Sequence, residues 1–226
     1  MKYENIKTGS FVSRPNRFIA QVIIEGEEHK CHVKNTGRLT ELLVPGAKVY
    51  VEEHHNPNRK TRFSLIAVER EGILYNIDSQ APNKVAMEWV KKGGFLSDVT
   101  LVKAEKTYKN SRFDLYLEAG EKKVFMEVKG VTLNRDGYGY FPDAPTERGK
   151  KHVLELMDAK EHGFLTCILF VVKFRDALGF RPNRQRQPDF ADALLKAREK
   201  GVEIMAVECR VEPDCLEIRK QIPVFL

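Results

Sequence analysis

The sequence has no uninterrupted apolar run of the roughly 18 residues that a membrane helix requires, so nothing in it reads as a bilayer span. The opening Met1-Lys2-Tyr3-Glu4-Asn5 lacks the apolar stretch of a secretion signal. The four cysteines, at 31, 167, 209 and 215, form no C-x-x-C pair, which argues against a zinc knuckle or a dithiol redox centre. They point instead to a soluble protein of the reducing cytoplasm. Cys167 sits in the apolar run from Thr166 to Val172, where a buried thiol is ordinary, and Cys209 and Cys215 could meet across a hairpin but lack the further ligands that a metal would need. There is one tryptophan, and neither an internal repeat nor a low-complexity segment. Charge of neither sign dominates: the net value of +6 is spread along the chain, so no part of it is a polybasic domain.

A hydrophobic content of 42% over 226 residues is enough for one large core or two modest ones. Three stretches are free of acid: His29 to Arg38, His54 to Arg62, and Leu178 to Gln187 with Arg181, Arg184 and Arg186. Each can serve as a solvated loop or as a phosphate-neutralising segment. The His54-His55 pair lacks a third ligand at suitable spacing and reads as part of an exposed turn.

From Ser10 to about Ile77 the sequence reads as short strands broken by turns: Arg17 to Ile24, a turn at Gly26, His29 to Val33, Leu42 to Val44, the turn Pro45-Gly46, a resumed strand at Val49 to Val51, and Phe63 to Val68. About five short strands in this length fit a small closed barrel of the OB or the SH3-like type. After Asp78 the pattern changes. A helix is expected from near Pro82 to the glycines at 93 and 94, followed by strands at 98–104, 111–117, 123–129, 165–174, 202–208 and 214–219. Helices at about 145–162 and 189–200 alternate with them. The expectation is an α/β domain, the whole chain being α+β.

The most informative segment is Ser111 to Leu117, a turn, and Lys123 to Lys129. Both arms alternate. Keeping Phe113, Leu115 and Leu117 on one face with Val124, Met126 and Val128 requires paired positions to sum to an odd number. A II′ turn with Gly120 at its first loop position sets that sum at 241 and predicts that Asp114 faces Glu127, with Lys129 further along the same side. Two carboxylates about 5 Å apart suit Mg²⁺ or Mn²⁺, and a nearby ammonium can orient water and offset phosphate charge. The competing interpretation is a wet face with weak cross-strand ion pairs.

Downstream, Glu127-Val128-Lys129-Gly130-Val131-Thr132-Leu133 is followed by Phe141-Pro142-Asp143-Ala144-Pro145-Thr146-Glu147-Arg148-Gly149-Lys150-Lys151-His152. Upstream stand Arg17-Phe18-Ile19-Ala20, Asn35-Thr36-Gly37-Arg38-Leu39 and Leu42-Leu43-Val44-Pro45-Gly46. Together these runs resemble the sugar fermentation stimulation protein A family over nearly the whole chain. The resemblance implies an OB-fold at 1–79, a PD-(D/E)xK nuclease-like α/β domain at 80–226, and DNA binding with little sequence preference. The nuclease-like motif falls on Asp114, Glu127 and Lys129. Lys34 departs from the family, many members having proline there, which bears on the shape of the loop before Asn35.

The expected partner is therefore DNA, single strands included, with RNA as a further option, and the expected cofactor Mg²⁺ or Mn²⁺. Asp114 and Glu127 are the metal ligands and Lys129 the third catalytic residue. Arg17, Lys34, Arg38, Arg148 and His152 are the nucleic-acid contacts. Arg148 and His152 share a helical face near a helix start, where a phosphate can be held, and Asp143 is expected to cap that helix. Trp89 is expected in the core, whereas Tyr50, Phe63, Tyr138 and Tyr140 are the stacking candidates. Two functions remain open: a metal-dependent nuclease, and a DNA-binding regulatory protein, linked to sugar metabolism, that keeps a nuclease-like fold without cutting.

Overall fold

A computed structural model describes residues 1–226, which form two compact units. One holds Met1–Ala81, Lys173–Arg175 and Cys209–Glu217; the other holds Pro82–Val172, Asp176–Glu208 and Ile218–Leu226.

The first unit is built on β1 (Ile6–Ser13), β2 (Ile19–Ile24), β3 (Glu27–Val33), β4 (Lys48–Glu53), β5 (Phe63–Arg70) and β6 (Ile73–Asn76). The sheet runs β3-β2-β1-β4-β5-β6, and a parallel pairing of β3 with β5 closes it into the expected OB-type barrel. Closure removes the exposed edges that an open sheet would present. Alternation fills the interior, with Ala20, Val22 and Ile24 of β2 and Val49 and Val51 of β4 all buried. Gly9 permits close packing of β1 on β2, since a Cβ there would meet Val22 Cγ1 at 2.6 Å and the Ile23 carbonyl oxygen at 2.7 Å. Register shifts between Phe11 and Ser13 and between Tyr50 and Val51 bend the strands around the barrel.

A buried polar network lies in this unit. Lys173 is 2% exposed and donates to the Asp78 carbonyl at 2.9 Å, while Asn76 donates to Tyr3 Oη at 3.0 Å. Burial lowers the Lys173 pKa to about 8, against the opposing pull of Asp78.

The second unit centres on a six-stranded sheet in the order β15-β14-β12-β9-β8-β7. Its members are β7 (Val99–Tyr108), β8 (Ser111–Ala119), β9 (Lys122–Val131), β12 (Leu165–Val172), β14 (Glu203–Glu212) and β15 (Cys215–Ile222). β12 lies parallel to both β9 and β14 and is buried almost throughout, as a central parallel strand must be. β7 closes one edge and exposes Lys103, Glu105 and Lys106, charges that discourage further strand pairing.

Helices α1 (Ala81–Lys91), α2 (Glu147–Glu161) and α3 (Pro188–Glu199) fall where the sequence places them. The α2 cap is Thr146 and not Asp143: Thr146 Oγ1 accepts from Gly149 N at 2.9 Å, while Asp143 Oδ1 accepts from Ala144 N in the preceding turn. Trp89 is half-buried, lying over Gly94, where any Cβ would overlap the indole.

Three short strands escaped the sequence reading. β10 (Leu133–Arg135), β11 (Tyr138–Phe141) and β13 (Gly179–Pro182) form a separate small sheet. All four cysteines are buried and none is in a disulfide, and no helix is long and apolar enough to cross a membrane.

Candidate metal and nucleic-acid site

The β8–β9 hairpin has the register that the turn dictates: Leu115 pairs with Met126, Leu117 with Val124 and Ala119 with Lys122. Gly120 takes the left-handed φ of +57° that opens the turn. The ladder stops at Leu115, one position short of Asp114, so the expected facing of Asp114 and Glu127 is not a backbone pair. Asp114 Oδ2 instead accepts from Val128 N at 2.9 Å, and Oδ1 accepts from Asn83 Nδ2 at 2.8 Å. On its other side β8 pairs with β7 through Leu115–Ala104 and Phe113–Lys106, omitting Asp114 and Glu105, and Glu105 has φ +57°. A non-glycine residue in the left-handed region beside Asp114 marks a local distortion that the surrounding sheet must hold in place.

Glu127 is 2% exposed, which rules out the wet-face interpretation for this position. Its Oε1 meets two groups, Lys129 Nζ at 2.5 Å and His152 Nδ1. A carboxylate partner calls for a proton on Nδ1, and Arg148 Nε approaches the other ring nitrogen at 3.5 Å. The second oxygen, Oε2, is buried without a hydrogen-bond partner.

The two carboxylates are driven in opposite directions. Burial, then the Glu127 charge, raises the pKa of Asp114 against the pull of Val128 N–H, Lys129 and Asn83. Burial also pushes Glu127 up, but the His152 hydrogen bond and the Lys129 charge outweigh it and hold its pKa below the ordinary value.

The structure thus brings together Asp114, Glu127, Lys129 and His152, with Arg148 exposed at the start of α2. His152, counted among the nucleic-acid contacts from sequence, is 4% exposed and touches Glu127. Asn83 was missed: an amide in the first turn of a helix carries no local signal of a carboxylate contact. No group of three or more acidic, imidazole or thiol side chains is placed to hold a metal unaided.

The remaining nucleic-acid candidates lie on the barrel unit. Arg17 and Arg38 are exposed and border a pocket of about 500 Å³ over Phe11, Leu43 and Pro45. Arg14 fixes that rim by donating to the carbonyls of Arg17, Asn35, Gly37 and Arg38 at 2.6–2.8 Å. Lys34 lies elsewhere, 3.7 Å from both Glu52 and Asp78, with its charge already countered.

A closed OB-type barrel joined to an α/β unit that carries an acid–acid–lysine group defines an α+β protein of the OB-barrel-plus-α/β class. Residues 12–77 match the domain described as the SfsA N-terminal OB domain, and residues 80–215 match the sugar fermentation stimulation protein RE domain. The chain belongs to the sugar fermentation stimulation protein family. A homolog from Clostridium beijerinckii is 52% identical over 226 residues, and one from Ruminiclostridium cellulolyticum 53%, each covering 100% of both chains. The structure of Pyrococcus furiosus SfsA in complex with Ca²⁺ is similar to this one at 28% identity and a TM-score of 0.91, over 100% of this chain and 98% of that one.

Proposed function

We propose that this protein is a divalent-metal-dependent phosphodiesterase acting on DNA, with Asp114 and Glu127 as metal ligands and Lys129 beside the scissile phosphate. The observation that carries this reading is Glu127 Oε2, a buried carboxylate oxygen with no partner next to a second carboxylate. Leaving such an acceptor unsatisfied costs about 1–3 kcal/mol, which a bound hard cation would remove. Mg²⁺ or Mn²⁺ there would polarise a phosphoryl oxygen and acidify a water. The Ca²⁺ complex of the Pyrococcus relative supports a hard, oxygen-seeking ion for this chain too.

The protein's own groups do the positioning. Asn83 and the Val128 N–H fix both Asp114 oxygens, and His152 fixes Glu127 Oε1. The Lys129 ammonium, 14% exposed, offers charge to a phosphate and hydrogen bonds to a water. Arg148 is proposed to contact the phosphate backbone. Residues 1–79, with Arg17 and Arg38, are proposed to hold the strand, and residues 80–226 to carry the chemistry. Four buried cysteines outside any disulfide fit a protein of the reducing cytoplasm.

A second reading, DNA binding without cutting, is favoured by one observation: Lys129 is already paired with Glu127, and no third ligand joins the two carboxylates. Incubation of labelled single- and double-stranded DNA, and RNA, with Mg²⁺, Mn²⁺ or EDTA separates the two. The nuclease reading expects metal-dependent cutting of DNA that falls at least about a hundredfold in Lys129→Ala, the scale of losing one transition-state charge contact. Binding in EDTA with no cutting under any metal leaves the second reading alone.

A further inference from the structure

The small sheet β10-β11-β13 has two unlike faces. The register Leu133–Tyr140, Arg135–Tyr138, Tyr138–Gly179 and Tyr140–Arg181 places Leu133, Arg135, Tyr138, Tyr140 and Arg181 on one side. Gly139, Phe180 and Pro182 lie on the other and are buried. Gly139 allows that side to press close, because a Cβ there would meet Val172 Cγ2 at 3.0 Å and Val131 Cγ1 at 3.1 Å. The chain's last residues extend the sheet: Phe180 N donates to the Pro223 carbonyl at 2.8 Å, and Phe225 N to the Phe180 carbonyl at 3.0 Å. Phe225, 45% exposed, thereby joins the outer face, over the space that Gly179 leaves by lacking a side chain.

On this outer face arginines and rings alternate. The Arg135 guanidinium lies 5.1 Å from the centre of Tyr140, and Arg181 lies 4.4 Å from Tyr138 and 5.2 Å from Phe225. A cavity of about 280 Å³ adjoins it, bordered by Arg184, Gln185 and Leu226. At its wall Asn183 is 1% exposed, and its Oδ1 has no partner although Nδ2 is bonded to the Pro142 carbonyl at 2.9 Å. Asp136 lies in the β10–β11 turn, and Arg184 holds Asp192 at 2.9 Å.

We infer that this face is a stacking platform for single-stranded nucleic acid, its bases lying on Tyr138, Tyr140 and Phe225 and its phosphates on Arg135, Arg181 and Arg184. A duplex hides its base faces in its own stack. A single strand offers both the π-faces that such rings take and the charge that such arginines balance. The inference rests on the proposed action on DNA and names the strand that the same unit receives. Continuity supports it, since β9 runs from Glu127 and Lys129 through Val131 into β10, so Arg135 follows Lys129 by about 20 Å of extended chain at most.

The test is binding without chemistry. Fluorescence anisotropy in EDTA would follow titration of the full chain into a labelled oligothymidylate and into a duplex of equal length. Tyr140→Ala is expected to weaken single-strand binding roughly 5- to 100-fold, the range for losing one stacked base, while Tyr140→Phe stays within about twofold. Arg181→Gln is expected to lower the slope of log affinity against log salt by about 0.7. Circular dichroism melts identify any variant that has lost its fold, and for such a variant crosslinking of iodouracil-substituted oligonucleotide to the wild-type peptide 138–140 decides instead. The platform is overturned if folded Tyr140→Ala and Arg181→Gln bind as the wild type does, if Tyr140→Phe loses as much as Tyr140→Ala, or if no crosslink maps to that peptide. These outcomes do not depend on cutting, so an inert metal site would leave them standing.

Discussion

Among single residues, His152 is the one whose role changed most between sequence and structure. Its place four positions after Arg148 suggested a shared phosphate-facing side, whereas in the structure it is buried and in contact with Glu127. Removing a partner from a buried carboxylate is costly. His152→Ala is expected to lower stability by about 1–3 kcal/mol in urea melts and to weaken Mn²⁺ binding about 10- to 100-fold by calorimetry. Unchanged Mn²⁺ affinity would show that His152 is structural only. Alternation on β8 and β9 made the acid–acid–lysine group legible, because a period of two assigns sides without tertiary information. Burial of Glu127 was not legible, since α2 covers that face and nothing in the hairpin says so.

At the scale of elements, strands and helices with strong periodicity were readable, and so was the hairpin register, which a local turn sets. The cap of α2 was misplaced because Asp143 and Thr146 are both good caps and Pro145 lies between them; the choice falls to whichever side chain reaches the N–H groups of the first turn. Thr146→Ala is accordingly expected to cost about 1 kcal/mol, measured by thermal or urea unfolding, and Asp143→Ala much less. The small sheet stayed hidden because its strands are short and β11 pairs in parallel with β13, distant in sequence. Tyr138 and Tyr140 were visible as stacking candidates and Arg181 as part of an acid-free stretch, but only the parallel pairing puts them side by side. Gly139→Ala should destabilise the protein by about 1–3 kcal/mol by overpacking against Val131 and Val172, which denaturant melts would read.

The whole molecule shows its electrostatic cost most clearly at Lys173. Its folded pKa of about 8 lies below the ordinary 10.5, so between those values the unfolded chain binds more protons and stability rises with pH. Below about pH 8 the buried ammonium is a constant burden of at most about 3 kcal/mol. Stability of the wild type relative to Lys173→Met should therefore climb from pH 8 to pH 10.5 and be flat below; a flat difference throughout would mean that the lysine is not desolvated. The division into a barrel and an α/β unit was legible from the change of hydrophobic pattern near Asp78, whereas recruitment of Lys173–Arg175 and Cys209–Glu217 to the barrel unit was not, because long-range packing leaves no local signature.

The central claim is that Glu127 Oε2 and Asp114 share a divalent ion beside Lys129. Anomalous scattering from a crystal soaked in Mn²⁺ measures this directly. The account predicts one strong peak at about 2.1–2.3 Å from Glu127 Oε2, within coordination reach of an Asp114 oxygen and lost in Glu127→Gln. Absence of density at that oxygen with the soaked ion bound elsewhere, or an undiminished peak in Glu127→Gln, would contradict it.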